Sequence, residues 1–390
     1  MISTRNAKSK SIVGLDIEAS SIAATELVLN GRPQVRGFGV APINSGLFRD
    51  GEVHEPAELS AAIKDLFGAN KLSKDVRLGV ANQRVAVRTL TLPQIDDPEE
   101  LETAVRFQAE DHVPIPLDQA VLDWQVIPAR GAAAEQGNLE VVVVVARRDM
   151  IAPLVEAVEG AGLRLAGIDL SAFAMIRALA GEVGSQDVQG SVDTEPMADT
   201  DVQQPVDPMA DATQPQPQDS FVDADATDTR LYCHVGDLTN LAVARDRYCL
   251  FTRVFNFGME GIAQSLAERT GMTLAHARQW LLHVGLDVPV EAIEGDPTTV
   301  ATTRDALASG TARLTDEVRR TIEYFGASDA AVPVEGIVVA GPGTAIPGLV
   351  DRMKTELPLP LEAGNPSPLA TAAGSAAPRL TLAYGLGLEE

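Results

Sequence analysis

The sequence has only two cysteines, Cys233 and Cys249, in 390 residues. Neither their number nor their spacing makes a disulfide framework or a metal-ligand set, which fits a reduced, cytoplasmic setting. Aromatic residues make up 4% of the chain, and 31 Lys and Arg face 55 Asp and Glu, a formal net charge of −24. A phosphate backbone is bound chiefly by clustered Lys and Arg, so nucleic acid falls away as a partner. Long apolar runs are missing as well. The longest, VVVVVA at 141–146, is far too short to span a bilayer, and no apolar run of signal-peptide length follows the basic N-terminus MISTRNAKSKSIVGLD. The expectation is a soluble protein without direct membrane insertion, reaching a membrane only through a partner.

At roughly 100–200 residues per domain, the length suggests two to four compact units. The acidity is uneven along them. Glu182 to Thr229 holds 12 acidic residues and no Lys, Arg or His, which leaves 43 acids against 31 bases elsewhere. This stretch also contains the imperfect repeat EPMADTDVQQP and DPMADATQPQP. Too few large apolar residues are present to offset the entropy of ordering it, so 182–229 reads as a disordered acidic linker. An acidic docking tail is the other reading.

Before the linker, residues 12–17 and 22–29 read as strands joined by a short turn, and 57–67 as a helix with Leu59, Ile63 and Leu66 on one face. VRLGVANQRVAVRTLTLP gives two alternating β runs. Asp97 followed by Pro98 starts a helix that Pro114 and Pro116 stop at Val113. Strands at LDWQVIP and LEVVVVVAR follow, then a helix at MIAPLVEAVEGAG, a strand at LRLAGIDL and a helix at SAFAMIRALA. Past the linker, TRLYCHVGDLTNLAVARDRYCLFTRVF offers three strands like those of IVGLDIEASSIAATELVLNGRPQVRGF. Helices at 259–269, 273–283 and about 300–325 come next, then the strand VEGIVVAG and a helix opening at Pro347. Two similar α/β halves with a cleft between them account for this pattern.

Three turns are candidates for contact with a nucleotide. In GLDIEASSIAATEL, a strand runs through Ser20 and Ser21 into a second strand. It resembles the turn that wraps phosphates in sugar kinases, heat-shock chaperones and actin, where an acid placed like Asp16 holds the metal through water. An ordinary hairpin kept for packing is the alternative. CHVGDLTNLAV at 233–243 is the equivalent turn of the second half, with Gly236 allowing close backbone approach. Its His234 stands where an acid would be wanted. IVVAGPGTAIPGL at 337–349 places Gly341 and Gly343 between a strand and a helix, an arrangement suited to a nucleoside. No nucleophile elbow or His pair at metal-ligand spacing accompanies these turns.

The chain resembles the PilM family, actin-like cytoplasmic proteins of type IV pilus assembly machines related to the division protein FtsA. The segments that carry the resemblance are VANQRVAVRTLTLP (80–93), ELETAVRFQAEDHVPIPLDQAVLDWQVI (100–127), AGLRLAGIDLSAFAMIRAL (161–179), DEVRRTIEYF (316–325) and VVAGPGTAIPGL. It implies an α/β, actin-like (ribonuclease H-like) fold of two lobes. A first lobe would span 11–83 and 148–181, with a small α+β subdomain, 84–147, inserted. A second lobe would span 230–390, with a helical part at about 259–330. It implies a scaffold role in which the protein binds the cytoplasmic tail of PilN, a bitopic membrane protein, and meets other pilus assembly proteins. The protein would then sit at the inner face of the membrane. ATP with Mg²⁺ in the cleft, with little or no hydrolysis, is also implied. By position, Asp16 (also the metal residue), Ser20, Ser21, Gly236, Gly258, Gly341 and Gly343 are what this chain retains of that site.

Departures accompany these residues. Glu18 and Ala23 stand where sugar kinases, heat-shock chaperones and actin usually have a glycine and a lysine, and Arg278 and Leu281 where the family more often has an acid and a lysine near the ribose and base. A carboxylate beside a triphosphate is repulsive, and a missing amine removes a charge-assisted contact. The expectation is therefore a degenerate cleft in which ATP and Mg²⁺ are weakly held or lost. An active ATPase or kinase-like enzyme of the same superfamily needs a general base and a second metal-binding acid, and beyond Asp16 the sequence offers no clear candidate. An FtsA-like division role is disfavoured because LAYGLGLEE lacks an amphipathic, Lys-rich helix.

Overall fold

A computed structural model gives the fold for residues 11–30, 32–129, 132–186, 228–328 and 332–388. Apolar residues in IVGLDI and SIAATELVLN build β1 (Ser11–Ile17) and β2 (Ser21–Asn30), antiparallel from Ser11↔Val28 to Ile17↔Ile22. β3 (Arg32–Pro42) pairs antiparallel with β2. A minimal hairpin of β4 (Phe48–Arg49) and β5 (Glu52–Val53) leads into α1 (Pro56–Asn70). There Leu59, Ile63 and Leu66 are buried, as their spacing predicts for one helical face. β6 (Asp75–Val80) then joins β1 in parallel.

The chain next leaves this sheet through β7 (Ala86–Pro93), α2 (Pro98–His112), β8 (Ala120–Ile127), α3 (Ala132–Glu135) and β9 (Asn138–Arg147). These strands form their own antiparallel sheet in the order β7-β9-β8. The Asp97 carboxylate caps α2 by accepting the N–H groups of Glu99 and Glu100 at 2.9 and 3.0 Å. Leu101, Val105 and Ala109 bury one stripe of α2 against Leu90, Leu92, Val141, Val143 and Val145. Both ends of the insertion lie side by side, because Ala86 pairs with Val145. The chain returns through α4 (Arg148–Gly160), β10 (Arg164–Leu170), parallel to β6, and α5 (Ser171–Gln186). The first sheet thus runs β10-β6-β1-β2-β3.

The second half repeats this order. β11 (Thr229–Val235), β12 (Thr239–Arg245) and β13 (Tyr248–Phe255) are antiparallel neighbours. After α6 (Met259–Thr270), α7 (Leu274–Val284) and α8 (Pro297–Gly326) comes β14 (Gly336–Ala340), parallel to β11. α9 (Leu349–Glu356), β15 (Leu361–Ala363), α10 (Ser367–Ala373) and α11 (Ala377–Gly387) finish the chain, and the sheet reads β13-β12-β11-β14-β15. In both sheets a three-strand meander is followed by two parallel strands, which is the duplication expected from the repeated opening.

A core shared by the two lobes includes Leu27 of β2, Met175 and Leu179 of α5, Ala242 of β12, Val338 of β14, and Leu380 and Ala383 of α11. Sequence periodicity does not reveal α11. From Leu380 to Gly387 every residue is buried, so no polar face marks it as a helix. Its last carbonyls accept from side chains: Leu388 and Leu386 from Arg77 Nη1 at 2.6 and 3.2 Å, and Gly385 from Arg177 Nε at 3.2 Å.

Several expectations need correction. The helix expected at Pro347 starts at Leu349, because Gly348 is left-handed (φ 76°) and a 3₁₀ turn, Pro342–Ala345, fills the space after β14. α5 continues to Gln186, past the expected start of the acidic linker at 182. Within that linker, residues 187–227 lie outside the described residues. Cys233 and Cys249 sit on β11 and β13 with β12 between them. Both thiols are buried, which pushes them up to about 12 and makes them inert packing groups.

Candidate functional site

The two meanders bring their first turns face to face between the lobes. In the first turn, Glu18 N–H donates to the Ser21 carbonyl at 2.9 Å, which leaves a tight two-residue loop of Ala19 and Ser20. In the second, Gly236 N–H donates to the Leu238 carbonyl at 3.0 Å. The turns bond to each other directly. Ser20 N–H donates to Asp237 Oδ2 at 2.7 Å, and Asp237 N–H donates to Glu18 Oε1 at 3.3 Å. Each turn therefore supplies a carboxylate to a backbone N–H of the other.

A residue absent from the sequence-based site completes this arrangement. Arg379, in the first turn of α11, ion-pairs with Glu18 Oε2 and reaches Ser20 Oγ at 3.4 Å. Its side chain is 15% exposed and that of Glu18 9%. The only hint in the sequence is a lone arginine in the otherwise apolar APRLTLAYGLG. Such a hint has no meaning until the helix is docked.

The expected site residues are placed as follows. Asp16 is buried at the end of β1, where burial raises its pKa to about 6, against the opposing pull of Arg379 and with a further push from Asp237. The cavity beside it, lined also by Glu18, Ala19 and Ser171, is about 20 Å³. Ser21 is buried with its hydroxyl unpartnered. Gly236 is required by a neighbour from its own chain, since a Cβ there would overlap Glu18 Oε1. A Cβ on Gly258 would overlap the Gly236 carbonyl, and the Gly236 carbonyl accepts from Met259 N–H at 2.8 Å.

Gly341 and Gly343 pack against the end of β11. A Cβ on Gly341 (φ 93°) would lie 2.8 Å from the His234 ring, and one on Gly343 2.5 Å from Val235. His234 is 1% exposed and neither ring nitrogen has a partner. Burial lowers its pKa to about 3, which keeps the ring neutral. Burial likewise raises Asp237 above the ordinary carboxylate range, opposed by its hydrogen bond from Ser20.

Of the two positions expected near a ribose and base, Leu281 is fully buried in the second lobe's own core and does not face the cleft. Helical register explains this, since Ala277, Leu281 and Val284 form the inward stripe of α7. Arg278 is paired instead with Glu260 on α6, with its Nε 2.9 Å from Oε2. Outside the two turns the cleft widens to a cavity of about 600 Å³ between the lobes. Its wall carries Asp50, Asp237, Glu260 and Glu268 against the single base Arg49. No group of three or more potential metal ligands occurs among the described residues, and no helix among them is long and apolar enough to cross a membrane.

Residues 14–193 match the family model described as "Type IV pilus assembly protein PilM". Among solved structures, a PilM–PilN type IV pilus biogenesis complex is similar at 23% identity and a TM-score of 0.72, over 97% of this chain and 99% of that one. The ethanolamine utilization protein EutJ from Carboxydothermus hydrogenoformans is 12% identical with a TM-score of 0.50, over 97% and 89%. MreB5 of Spiroplasma citri bound to ADP is 12% identical with a TM-score of 0.48, over 97% and 95%. The chain thus has the actin-like fold, and over residues 14–193 it carries the sequence pattern of the type IV pilus assembly protein PilM.

Proposed function

We propose that the protein is a scaffold of a type IV pilus assembly machine. It holds the cytoplasmic tail of a PilN-like membrane protein and is itself held at the inner face of the membrane by that contact. The observation that carries this reading is the reach of the family match, which takes in the first sheet and the whole insertion from β7 to β9. The similarity to a PilM–PilN complex over nearly the full length of both chains supports it. The docking groove is bordered by the insertion at 84–147, which belongs to the lobe formed by 11–83 and 148–181.

The cleft is degenerate in this reading and holds ATP with Mg²⁺ weakly or not at all. Asp16 is the carboxylate that would hold Mg²⁺ through water, and the turns at Ser20, Ser21 and Gly236 would face the phosphates, with Gly258, Gly341 and Gly343 beside them. Mg²⁺ keeps several waters in an octahedral shell at about 2.0–2.1 Å. The roughly 20 Å³ beside Asp16 suits one water. Glu18 occupies the space over Gly236, and the wider cavity is acid-lined, which opposes a polyanion.

The test is capture of a synthetic PilN-like tail by the full chain and by a variant in which 86–145 is replaced with a short Gly-Ser connector. The neighbouring ends of β7 and β9 make that excision geometrically mild. Capture by the full chain and loss in the excised variant are expected; undiminished capture by a folded excised variant would refute the groove. Calorimetry with ATP and Mg²⁺ addresses the cleft, where micromolar affinity would overturn degeneracy.

A further inference from the structure

We infer that Glu18 is a tethered ligand: its carboxylate fills an anion site formed by the Asp237 N–H and the Arg379 guanidinium, and so joins the lobes without a diffusible ligand. The inference rests on the degenerate-cleft reading and gives it a cause. The ligand class that the site would otherwise take is a small phosphate-bearing anion.

Four observations converge on it. The carboxylate receives a charge-assisted contact from Arg379 at Oε2 and a backbone N–H from the opposite lobe at Oε1, 3.3 Å away. The second turn is shaped to receive it, because only a glycine at 236 leaves room for Oε1. Two buried polar side chains close by, Ser21 and His234, have polar atoms with no partner, and a Cβ on Gly236 would lie 3.1 Å from the His234 ring. The opposite exchange, Ser20 N–H to Asp237 Oδ2 at 2.7 Å, makes the clasp reciprocal. With Glu18 present, the Arg379 charge is neutralised and the carboxylates of Asp16 and Asp237 dominate the surroundings. Removing Glu18 leaves Arg379 with Asp16 as its nearby countercharge and shifts the local charge by one unit toward positive.

The experiment titrates inorganic pyrophosphate, without Mg²⁺, into the full-length wild type and into Glu18→Gly and Glu18→Gly/Arg379→Met variants, by calorimetry and thermal shift. Glu18→Gly is expected to bind at least tenfold tighter than wild type, and the added Arg379→Met to abolish that gain. If Glu18→Gly does not fold, Glu18→Gln keeps the shape and removes the charge, and its melting temperature should rise with pyrophosphate more than that of wild type. Equal affinity of wild type and Glu18→Gly, or a gain that survives Arg379→Met, would overturn the inference, as would a Glu18→Gln response no larger than wild type. Tight binding of ATP with Mg²⁺ by the wild type would sink the degenerate-cleft reading alone. The two results come from separate titrations and separate ligands.

Discussion

Arg379 of the last helix and Glu18 of the first turn are 361 residues apart in sequence and form an ion pair that ties α11 to the turn between β1 and β2. Both side chains are largely withdrawn from water, so the pair is worth little as a net contribution but much when only one member is removed. Arg379→Met is expected to destabilise by about 3–5 kcal/mol, because it leaves the Glu18 carboxylate buried without its countercharge. Adding Glu18→Gln should recover a large part of that loss. Urea unfolding midpoints of the two single variants, the double variant and the wild type check this. Additive losses would show that the two residues do not act as a pair.

Asp16 gives the protein a pH dependence of definite sign. Its folded pKa of about 6 lies above the ordinary aspartate value of 3.8, so between these values the folded state holds a proton that the unfolded state has released. Stability therefore falls as pH rises from about 4 to 6, by roughly 3 kcal/mol in total at 1.36 kcal/mol per unit, and stays reduced above that. Asp16→Asn removes this contribution. The variant should gain on wild type by roughly 2–3 kcal/mol at pH 8 and by nothing at pH 3.5. Denaturant unfolding at the two pH values measures the difference, and an equal gain at both would contradict the assignment.

His234 acts in the opposite direction. Its pKa falls from 6.5 in the unfolded chain to about 3 in the fold, so the unfolded state takes up a proton first as pH drops. The protein loses stability from this source as pH falls from 6.5 toward 3. His234→Leu keeps the site apolar and removes the titration, as well as two unpartnered nitrogens. Its advantage over wild type should grow on acidification, on the order of 4 kcal/mol by pH 3. An advantage that does not change between pH 7 and pH 4 would show that the ring titrates normally.

Much of the fold was legible because its signals are local. Asp97 with Pro98, and Pro114 with Pro116, bracket α2 to the residue, and the apolar alternation sets β1, β2, β11 and β12 with their turns. The repeated meander revealed the duplication through sequence alone. The centre of the site was less legible. Glu18 could be seen as a departure at a turn, but its partner lies on a helix without a polar face, and pairing across the whole chain leaves no spacing to read. The sequence suggests close backbone approach at Gly236 and room for a nucleoside at Gly341 and Gly343. What approaches them is Glu18, His234 and Val235 of the same chain, a tertiary fact that a glycine cannot announce. Leu281 misled because it was assigned by position along α7 rather than by the helical register that buries it.

Helix α11 depends on glycines for a different reason, which a pair of substitutions separates. A Cβ on Gly385 would overlap the backbone carbonyl of Ala174 in α5, and backbone cannot move aside as a side-chain tip can. Gly385→Ala should therefore force α11 away from α5 and from the shared core that holds Leu380 and Ala383. The expected cost is about 3 kcal/mol, at the upper end for overpacking, because the obstruction is rigid. Gly68, inside α1, has nothing within 4 Å of its Cβ position, so Gly68→Ala should stabilise by about 0.5–1 kcal/mol through helix propensity. Thermal melts should move in opposite directions for the two variants. Because α11 carries Arg379, the Gly385→Ala chain should also expose the interlobe turns to faster amide exchange at Asp237 and Ser20, while Gly68→Ala leaves them unchanged. Equal exchange at these two amides in both variants would mean that the docking of α11 does not hold the clasp together.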